Sequence, residues 1–593
     1  MLRSKVGRSN LLVLCCILLF GDALGFYDTA PHIIVFMVDD LGWNDVSFHG
    51  SNQIPTPNID ALGYNGIILN RHYVLPSSTP SRAAFFTGLY PIRIGMQGEG
   101  IQGGEPRGLP LNIRILPEYL RGLGYTTKLI GKWHVGYHTP QHTPLHRGFD
   151  AFLGFYNSHV SYYDYRYSYQ NMSGYDMHRG DNPAYGLNAE YATDLFTDEA
   201  MKIIQRHEPP RPLYLQISHL AVHAPIESPD DDHRNSNRER FKHIPEVNRR
   251  NYASMVTRLD ESVGRIVHTL GNRGMLRDSL ILFLTDNGAP TIGKFRNWGS
   301  NLPLRGMKYT LYEGGVRGVA VLWSPRLRKA ARVCNELVHI TDWLPTFYSA
   351  AGGDLKDLGE IDGVNQWRML NDGEPVARQS LLLNIDEVSR TEGAIYKSFK
   401  LLRGSIEGGH YDGYHTIREP SWIEHVEHKK NEPTEVPSYT ETVLKSLVSQ
   451  SITYHLGGPV TQPSTINQLR QEATVHCRSN GSYNRFTTCN VTECLFDINN
   501  DPCETKNIAQ QYPRIARELD LFLEKYGRNV TRQMKVPVDW LADPRRTNGT
   551  WEPWMTPGEM LYAYNMAAAH LVHMAYCVHI GIILATIAWN AFI

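Results

Sequence analysis

The fold is decided by residues 32–43, HIIVFMVDDLGW, near the start of the chain. The first seven of these residues form an almost unbroken apolar run, which is typical of a strand buried on both faces of a sheet. Residues 213–217 (LYLQI) and 280–284 (LILFL) have the same character. We therefore predict three buried strands that belong to one core.

Helical patterns lie between these apolar runs. Thr56 and Pro57 suit the N-cap and the first position of a helix over residues 58–62. Residues 115–122 have the apolar spacing of a helix that ends at a glycine. Buried strands that alternate with helices predict a mostly parallel, doubly wound α/β sheet. In such sheets, ligands bind at the carboxyl ends of the strands.

The composition is that of a large globular protein. The chain has 593 residues, of which 42% are hydrophobic and 20% charged, and this excludes wholesale disorder and collagen-like repeats. Because 59 Lys and Arg face 60 Asp and Glu, the chain lacks the basic excess of a nucleic-acid binder. Eight cysteines are too few for a disulfide-dense scaffold and fit a large secreted enzyme.

Both ends of the chain carry apolar segments. Three basic residues precede an apolar run at 11–20, so residues 1–25 predict a signal peptide, with an N-terminal anchor as the alternative. Five glycosylation sequons support the secretory route, to the lysosome or the cell exterior; they lie at Asn171, Asn480, Asn490, Asn529 and Asn548. The uncharged run 571–593 is about long enough to span a bilayer. It predicts a membrane or lipid anchor or, alternatively, a packed or frayed tail.

Polar side chains follow two of the predicted strands. Asp39 and Asp40 end the first strand, and Asp286 and Asn287 end the strand at 280–284. Oxygen ligands at neighbouring strand ends would form a cage for a hard cation, Ca²⁺ or Mg²⁺. Helix capping is the alternative for either motif alone, but together the motifs favour a metal.

The segment 78–88, STPSRAAFFTG, reads as the start of a helix. Pro80 suits a first helical turn and places Ser78 at the helix N-terminus, where free N–H groups favour an anion. Arg82 follows one turn later and can reach the same place. The alternative is an ordinary helix capped by serine and proline.

Three further segments offer a cation or an imidazole. Lys132 and His134 follow a strand-like run, His223 follows the strand at 213–217, and Lys308 lies in NLPLRGMK at 301–308. Taken singly, these are ordinary surface lysines and hydrogen-bonded histidines. Their combination and order carry the information.

In this order, the segments resemble the sulfatase family, and within it the animal arylsulfatase B-type enzymes, the N-acetylgalactosamine-4-sulfatase branch. The resemblance runs from about residue 27 to residue 555. The motif at 78–82 and GKWH at 131–134 are its most specific parts. Further matches are DDLGWNDV at 39–46, RGFD at 147–150 and EGGVR at 313–317.

The resemblance implies an alkaline-phosphatase-like α/β fold, a mixed sheet flanked by helices with a smaller C-terminal α+β domain. It implies one Ca²⁺, with Mg²⁺ less favoured, held by Asp39, Asp40, Ser78, Asp286 and Asn287. It implies a sulfate pocket formed by Arg82, Lys132, His134, His223 and Lys308. The substrate would be a sulfated carbohydrate or an aryl sulfate. Fixed cations would stabilise the charge on its leaving oxygen, with the metal as Lewis acid and His223 or Lys308 assisting the leaving alcohol.

Position 78 departs from the family pattern. The family nucleophile is a formylglycine made from the first residue of Cys-x-Pro-Ser-Arg, and that residue is Ser78 here. Some bacterial members convert serine, whereas the eukaryotic formylglycine-generating enzyme acts on cysteine, and this chain has eukaryotic features. Three interpretations remain: a natural enzyme with lost or altered activity, an engineered Cys-to-Ser form, or a site modified by unusual machinery. Only the last makes a formylglycine-generating enzyme a partner.

The sequence thus predicts a sulfatase whose turnover depends on residue 78. The alternative is a catalytically impaired relative that binds sulfated glycans. A phosphatase or phosphonate hydrolase of the same superfamily is disfavoured, because the sequence offers one metal site rather than several.

We predict a catalytic domain at 26–384, a smaller domain at 385–556 with an insertion at 405–475, and an apolar tail at 557–593. The charged stretch 227–251 predicts a solvated loop or surface helix. Four histidines of the insertion match no standard metal site and are expected to be solvated: His410, His415, His425 and His428.

Five cysteines remain once the signal peptide and the tail are set aside: Cys334, Cys477, Cys489, Cys494 and Cys503. An odd number leaves one thiol without an internal partner. The candidate bridges are Cys494–Cys503 and Cys477–Cys489.

Overall fold

The structure is a computed structural model of the chain. It describes residues 30–187, 189–229, 240–375, 378–415, 438–458, 461–477, 489, 493–533 and 535–556. The predicted signal peptide, the tail at 557–593, Asn480, Asn490, His425 and His428 therefore lie outside the described residues. Within those residues, no helix combines the length and the apolar character needed to cross a membrane.

A ten-stranded mixed sheet forms the centre of the fold in the described part of the chain. The strands of the first 340 residues are, in chain order, β1 (His32–Val38), β2 (Ile67–Leu69), β3 (His72–Tyr73), β4 (Thr126–Lys132), β5 (Ala151–Phe155), β6 (Arg166–Tyr169), β7 (Met172–Tyr175), β8 (His178–Arg179), β9 (Asn182–Pro183), β10 (Leu213–Ser218), β11 (Ser279–Thr285), β12 (Ala320–Trp323), β13 (Arg332–Cys334) and β14 (Val338–His339). The order across the large sheet is β13-β2-β12-β11-β1-β10-β4-β5-β8-β9, while β3 pairs with β14 and β6 with β7.

The middle of the large sheet is parallel. Strands β11, β1, β10, β4 and β5 run in one direction, whereas β12, β8 and β9 join by antiparallel pairs. All residues of β1, β10 and β11 are buried. The three predicted strands are therefore confirmed, and the unbroken apolar runs follow from burial on both faces.

Helices flank the sheet. They are α1 (Pro57–Tyr64), α2 (Ser78–Thr87), α3 (Leu116–Gly122), α4 (Ala192–Arg206), α5 (Val247–Asn272), α6 (Glu313–Val316), α7 (Trp343–Ala350) and α8 (Trp367–Asp372). The helices predicted at 58–62 and 115–122 are confirmed as α1 and α3. Thr56 occupies the N-cap position of α1, but its side chain makes no cap hydrogen bond and donates to Asp60 instead, at 2.8 Å.

The structure describes 227–229 and 240–251 of the charged stretch, and one basic residue there is less solvated than predicted. Arg249, in the first turn of α5, is buried and pairs with the buried Asp45 at 2.7 Å. Its guanidinium group also donates to Gln53 and to the carbonyl of Trp298. The prediction is wrong for Arg249 because a tertiary carboxylate, invisible in the local pattern, compensates its charge.

A second, four-stranded antiparallel sheet follows, with β15 (Ser380–Asp386), β16 (Thr391–Tyr396), β17 (Phe399–Arg403) and β18 (Cys494–Asp497). Its first strand begins at Ser380, a little before the boundary expected at 385. Of the later helices, α9 (Tyr439–Leu444), α10 (Leu447–Leu456) and α11 (Pro463–Ala473) belong to the predicted insertion, and α12 (Pro513–Gly527) packs on the second sheet. A large mixed sheet flanked by helices with a smaller α+β unit is the predicted fold class, which is confirmed.

The disulfides differ from the predicted pairs. They join Cys477 to Cys503 and Cys489 to Cys494, and Cys334 is free and buried. The predicted pairs are wrong because β18 separates Cys494 from Cys503. After β18 the chain returns to the larger part of the fold, where Cys477 lies against the carbonyl of Pro303. The unpaired thiol expected from the odd number of cysteines is confirmed.

Candidate active site

The candidate site lies where β1 and β11 end side by side. Val38 and Thr285 are register partners, and the next residues bring Asp39 and Asp286 to the same edge of the sheet. The N–H of Asp286 donates to the carbonyl of Val38 at 3.1 Å. Asp40 takes a left-handed backbone (φ 62°), and its N–H donates to Asp286 Oδ1 at 3.3 Å. Asp39, Asp40, Asp286 and Asn287 are all fully buried.

Each of the three buried carboxylates pairs with a buried cation. The pairs are Lys132 Nζ to Asp39 Oδ2 at 2.7 Å, Lys308 Nζ to Asp40 Oδ1 at 2.6 Å, and Arg82 Nη2 to Asp286 Oδ2 at 2.8 Å. Arg82 Nε donates to the same oxygen at 3.1 Å. Burial of so many charges is tolerable only because they compensate one another. The six side chains together carry no net charge.

Ser78 sits against one of these pairs, Asp39 and Lys132. It is the first residue of α2, as the sequence predicts, and its side chain is buried. Its Oγ lies 3.2 Å from Asp39 Oδ1 and 3.2 Å from Asn287 Oδ1, and it accepts from Lys132 Nζ at 3.3 Å. One hydroxyl proton can serve only one of the two oxygens at a time. Residue 78 therefore contacts both the predicted metal ligands and the predicted sulfate pocket.

The oxygen atoms around Ser78 fit a hard divalent cation. Asp40 Oδ2 is buried and accepts no hydrogen bond. Burial raises the pKa of Asp40, against the opposing effect of Lys308, so a further cation beside it would be favourable. Asn287 Nδ2 donates to Asp40 Oδ1 at 2.5 Å, which leaves Asn287 Oδ1 directed at Ser78. Such a donor set, mostly carboxylate and carbonyl oxygen, is the kind that Ca²⁺ and Mg²⁺ prefer.

His223 lies among the metal-ligand candidates as well as beside the anion pocket. Single ligand atoms of Asp39, Asp40 and His223 lie within 4.8 Å of one another. His223 Nδ1 is 2.5 Å from the carbonyl of Ala224, so Nδ1 carries the proton in the neutral ring. Nε2, 3.6 Å from Asp40 Oδ2, then offers a lone pair. Asp286 is not in this cluster, and its role as a ligand stays a prediction.

The two predicted histidines are neutral near pH 7. Burial lowers the pKa of both far below 6.5, and neighbouring lysines lower it further, Lys132 for His134 and first Lys308 for His223. His134 follows β4 in a left-handed conformation (φ 53°), with Nε2 3.0 Å from the carbonyl of Ile101. Its Nδ1 is buried without a hydrogen-bond partner. Because the neutral ring donates its Nε2 proton to that carbonyl, Nδ1 carries a lone pair and can only accept a hydrogen bond.

The two lysines differ in proton affinity. Burial lowers the pKa of Lys132 to about 8, against the opposing effect of Asp39. Burial also acts to lower the pKa of Lys308, but Asp40 and other nearby acidic groups outweigh it and raise the pKa above 10.5. Lys308 is thus a fixed positive charge, whereas Lys132 holds its proton less tightly.

Two residues of the site are absent from the sequence-based prediction. His159 stacks on His223 with ring centroids 5.0 Å apart and an interplanar angle of 22°, and Ser158 Oγ lies 2.9 Å from its Nδ1. Asn297 Nδ2 donates to the carbonyls of Asp40 and Val222, at 2.9 and 3.1 Å. His159 follows the parallel strand β5, and its place after a parallel strand could have indicated a site residue. Asn297 lies in a loop and gives no such signal.

The structure thus brings all the sequence-predicted site residues into one buried cluster at the carboxyl ends of parallel strands. Fold and site define an α/β protein with buried cations beside a group of side chains, Asp39, Asp40 and His223, that could hold a metal ion.

Comparisons with known proteins identify the family. The model of the sulfatase family matches residues 31–353. Mouse arylsulfatase J is 34% identical over 527 residues, 88% of this chain and 80% of that protein. Mouse N-acetylgalactosamine-6-sulfatase is 33% identical over 351 residues. The matched region is 56% of this chain and 65% of that relative. The crystal structure of Ps i-CgsB in complex with k-i-k-neocarrahexaose is similar to this structure, with a TM-score of 0.65 at 23% identity. The superposition covers 90% of this chain and 100% of the Ps i-CgsB chain. At this identity the likeness shows the fold alone. The chain belongs to the sulfatase family, a family of sulfate ester hydrolases.

Proposed function

We propose that the site binds the sulfate group of a sulfated sugar or aryl sulfate, with Ca²⁺ favoured over Mg²⁺ as its metal. Asp39, Asp40, Asp286 and Asn287, with residue 78, would hold the metal, and His223 is a further candidate ligand. When bound, the metal supplies Lewis-acid polarisation of a sulfate oxygen. The relatives support the sugar class, because one of them is an N-acetylgalactosamine-6-sulfatase. We extend the proposal to the arylsulfatase B-type assignment, in which the substrate carries a sulfated N-acetylgalactosamine.

The charge balance supports an anionic ligand. The three cations match the three carboxylates, so a divalent cation gives the site two positive charges. A sulfate monoester carries one negative charge, and the departing alcohol oxygen gains more as its bond to sulfur breaks. Donors fixed in a buried site stabilise this developing charge strongly, because no solvent has to reorganise around it.

In this proposal, the oxygen of the leaving alcohol faces Lys308 and His223. Lys308 keeps its charge and can stabilise the alkoxide oxygen directly. His223 can pass a proton to that oxygen only if its Nε2 does not bind the metal and has first gained a proton from solvent or substrate. Lys132, beside Ser78 Oγ, instead supports the attacking group.

Ser78 decides whether binding leads to turnover. If its hydroxyl attacked sulfur, the bond from Oγ to sulfur would form, the bond to the alcohol would break, and the Oγ proton would leave to a base. The product would be a serine sulfate ester. Serine carries no second oxygen on Cβ whose deprotonation could expel sulfate by forming a carbonyl. Continued hydrolysis therefore requires residue 78 as a formylglycine, and unmodified Ser78 favours the second candidate function, a sulfated-glycan binder without turnover.

The contacts of Ser78 with Asn287 and with the Asp39–Lys132 pair, beside two further buried carboxylate–cation pairs, carry this proposal. Its test is mass spectrometry of the tryptic peptide 72–82, HYVLPSSTPSR, from the secreted protein. Loss of two hydrogens at residue 78 supports the hydrolase, and an intact serine supports the binder. Fragmentation must separate residue 78 from Ser77 and Ser81, and the Ser78→Ala protein is the matched control.

Binding of 4-nitrophenyl sulfate and inorganic sulfate by isothermal titration completes the test. Lys132→Ala should abolish binding if this pocket takes the sulfate. Equal binding by Lys132→Ala would contradict both candidate functions.

The proposed destination of the protein is the secretory pathway, to the lysosome or the cell exterior. Anchoring through 571–593 stays a prediction.

A further inference from the structure

Tyr309 stands beside the pocket in a backbone conformation that its side chain disfavours. It follows Lys308 directly, has φ 79°, and donates its N–H to the carbonyl of Pro76 at 2.7 Å. A bulky residue in the left-handed region costs free energy and persists only where the surroundings enforce it. Here the enforcing bond leads to the turn just before Ser78. This hydrogen bond thus ties the backbone of Tyr309 to the segment that leads into Ser78.

A second aromatic ring reaches the same place from the C-terminal part of the fold. The rings of Tyr309 and Tyr411 have centroids 6.4 Å apart and an interplanar angle of 35°. Tyr411 also packs against Gly293, where a Cβ atom would come within 2.6 Å of the tyrosine hydroxyl. Both tyrosines are half-buried and lie outside the fully enclosed core. Together they form an aromatic wall that continues from Lys308.

Polar groups border this wall. Burial raises the pKa of Tyr309 to about 12, against the opposing effect of Lys308, so its phenol stays protonated and can donate. Glu99, an exposed carboxylate close enough to raise that pKa slightly, pairs with Lys535 at 3.0 Å. Aromatic faces with polar groups at their edges suit a pyranose ring, which combines C–H faces with peripheral hydroxyls.

We propose that Tyr309 and Tyr411 bind the sugar ring that carries the sulfate and so determine which leaving alcohol is accepted. This inference rests on the proposed function, in which Lys308 faces the leaving oxygen. The rest of the alcohol must then extend past Lys308, whose Nζ lies 5.7 Å from the centroid of the Tyr309 ring. Inorganic sulfate, which has no alcohol, would not reach the wall.

The test compares three probes on the full secreted chain by isothermal titration: N-acetylgalactosamine 4-sulfate, N-acetylgalactosamine 6-sulfate and inorganic sulfate. Tyr309→Ala and Tyr411→Ala should each weaken the better sugar sulfate about 3- to 10-fold, the range expected for one aromatic contact. The affinity for inorganic sulfate should not change. Tyr309→Phe should keep most of the sugar affinity. Tyr309→Asn removes the ring but tolerates the left-handed backbone, and it guards against misfolding of the alanine variant.

Tyr454→Ala is the matched control, because Tyr454 is 83% exposed on α10. Unchanged sugar binding in Tyr309→Asn and Tyr411→Ala, or an equal loss for inorganic sulfate, would overturn the inference while leaving the proposed function in place. If the unsubstituted chain bound none of the probes, or if Lys132→Ala bound all of them equally well, the proposed function would fail and the inference with it.

Discussion

At the scale of single residues, the chemistry of this chain depends on the side chain at position 78. The Ser78 hydroxyl lies within hydrogen-bonding distance of Asp39, Asn287 and Lys132, so the surroundings of a nucleophile are intact. The side chain itself lacks the second oxygen that would release sulfate. Substitution of residue 78 can therefore separate the effect of its surroundings from the effect of its side chain.

Ser78→Cys should gain turnover of 4-nitrophenyl sulfate when the protein is secreted from cells that contain a formylglycine-generating enzyme. The reason is that cysteine restores the residue this enzyme modifies, while the pocket around it is already assembled. Release of 4-nitrophenol is the measurement, and Ser78→Ala should stay inactive. If residue 78 of the variant is shown to be an aldehyde and no activity appears, the pocket itself is defective.

Asp39 provides the residue-scale test of the metal. Saturating Ca²⁺ should raise the Tm of the unsubstituted chain by several degrees, because a ligand that binds only the folded state stabilises it by about 2.7 kcal/mol at a hundred times its Kd. Asp39→Asn should lose most of this shift, and a chelator should reverse it in the unsubstituted chain. Differential scanning calorimetry with and without Ca²⁺ measures it.

The control for this experiment is Asp278→Asn, at a carboxylate that is 41% exposed and paired with Arg326. It should retain the full Ca²⁺ shift. A shift of equal size in Asp39→Asn would exclude Asp39 as a ligand.

At the scale of elements, helices α9 to α11 are held on the larger part of the fold by a buried polar cluster. Tyr439 donates to Asp60 Oδ2 at 2.8 Å and lies 2.8 Å from the hydroxyl of Tyr64. The guanidinium of Arg470, on α11, stacks 3.9 Å from the Tyr439 ring centroid and donates to the carbonyl of Ser47. Buried apolar side chains of these helices also join the main core, but weak periodicity in the sequence concealed the helices.

Tyr439→Phe should lower the free energy of unfolding by about 1–2 kcal/mol, since it leaves a buried carboxylate with one donor fewer. Asp60 keeps its bonds from Ser47 and Thr56, so the variant should still fold. Urea denaturation followed by fluorescence measures the loss. Tyr454→Phe, at an exposed site on α10, should change stability little; an equal change in both variants would contradict the role of the cluster.

At the scale of the whole molecule, a buried ionic cluster joins the two sheet-based parts of the fold. Lys400 of β17 contacts Glu313 of α6 and Glu504, each at 2.8 Å, and all three side chains are fully buried. Glu504 also accepts the N–H of Glu313 at 2.7 Å. Arg317, 3.4 Å from Glu313, supplies the second positive charge.

Glu504 should make this junction weaker as the pH rises. Burial raises its pKa to about 7, with Lys400 opposing and Glu313 adding to the shift. Between its ordinary pKa of 4.5 and about 7, the folded state keeps a proton that the unfolded state has released. The stability due to Glu504 is therefore full below the ordinary pKa and is lost as the pH rises through about 7.

Glu504→Gln removes this titration. The Tm of the unsubstituted chain minus that of Glu504→Gln should fall as the pH rises from about 5 to about 8. Taking the difference cancels the titration of the buried histidines, which act in the opposite direction. Glu441→Gln, on the surface of α9, is the control and should give a difference that does not vary with pH. A flat difference for Glu504→Gln would exclude Glu504 as the titrating group.

Local pattern was enough for the three central strands β1, β10 and β11 and for the polar residues that follow β1 and β11. The run at 32–38 is apolar at nearly every position because β1 is covered on both faces, so the sequence alone determined its burial. Asp39, Asp40, Asp286 and Asn287 were predictable because parallel strands end at one edge of a sheet. Arg249 and the disulfides were not, because their partners come from distant parts of the chain.

By itself, then, the sequence determined the α/β class, the family resemblance and the residue types of the site, since each is written in a local motif. Only the tertiary structure decided which carboxylate pairs with which cation, that His223 reaches the metal-ligand cluster, and that Tyr309 meets Tyr411 beside Lys308. The physical reason is that charge compensation and ring packing depend on distances between residues up to hundreds of positions apart. No local pattern records those distances.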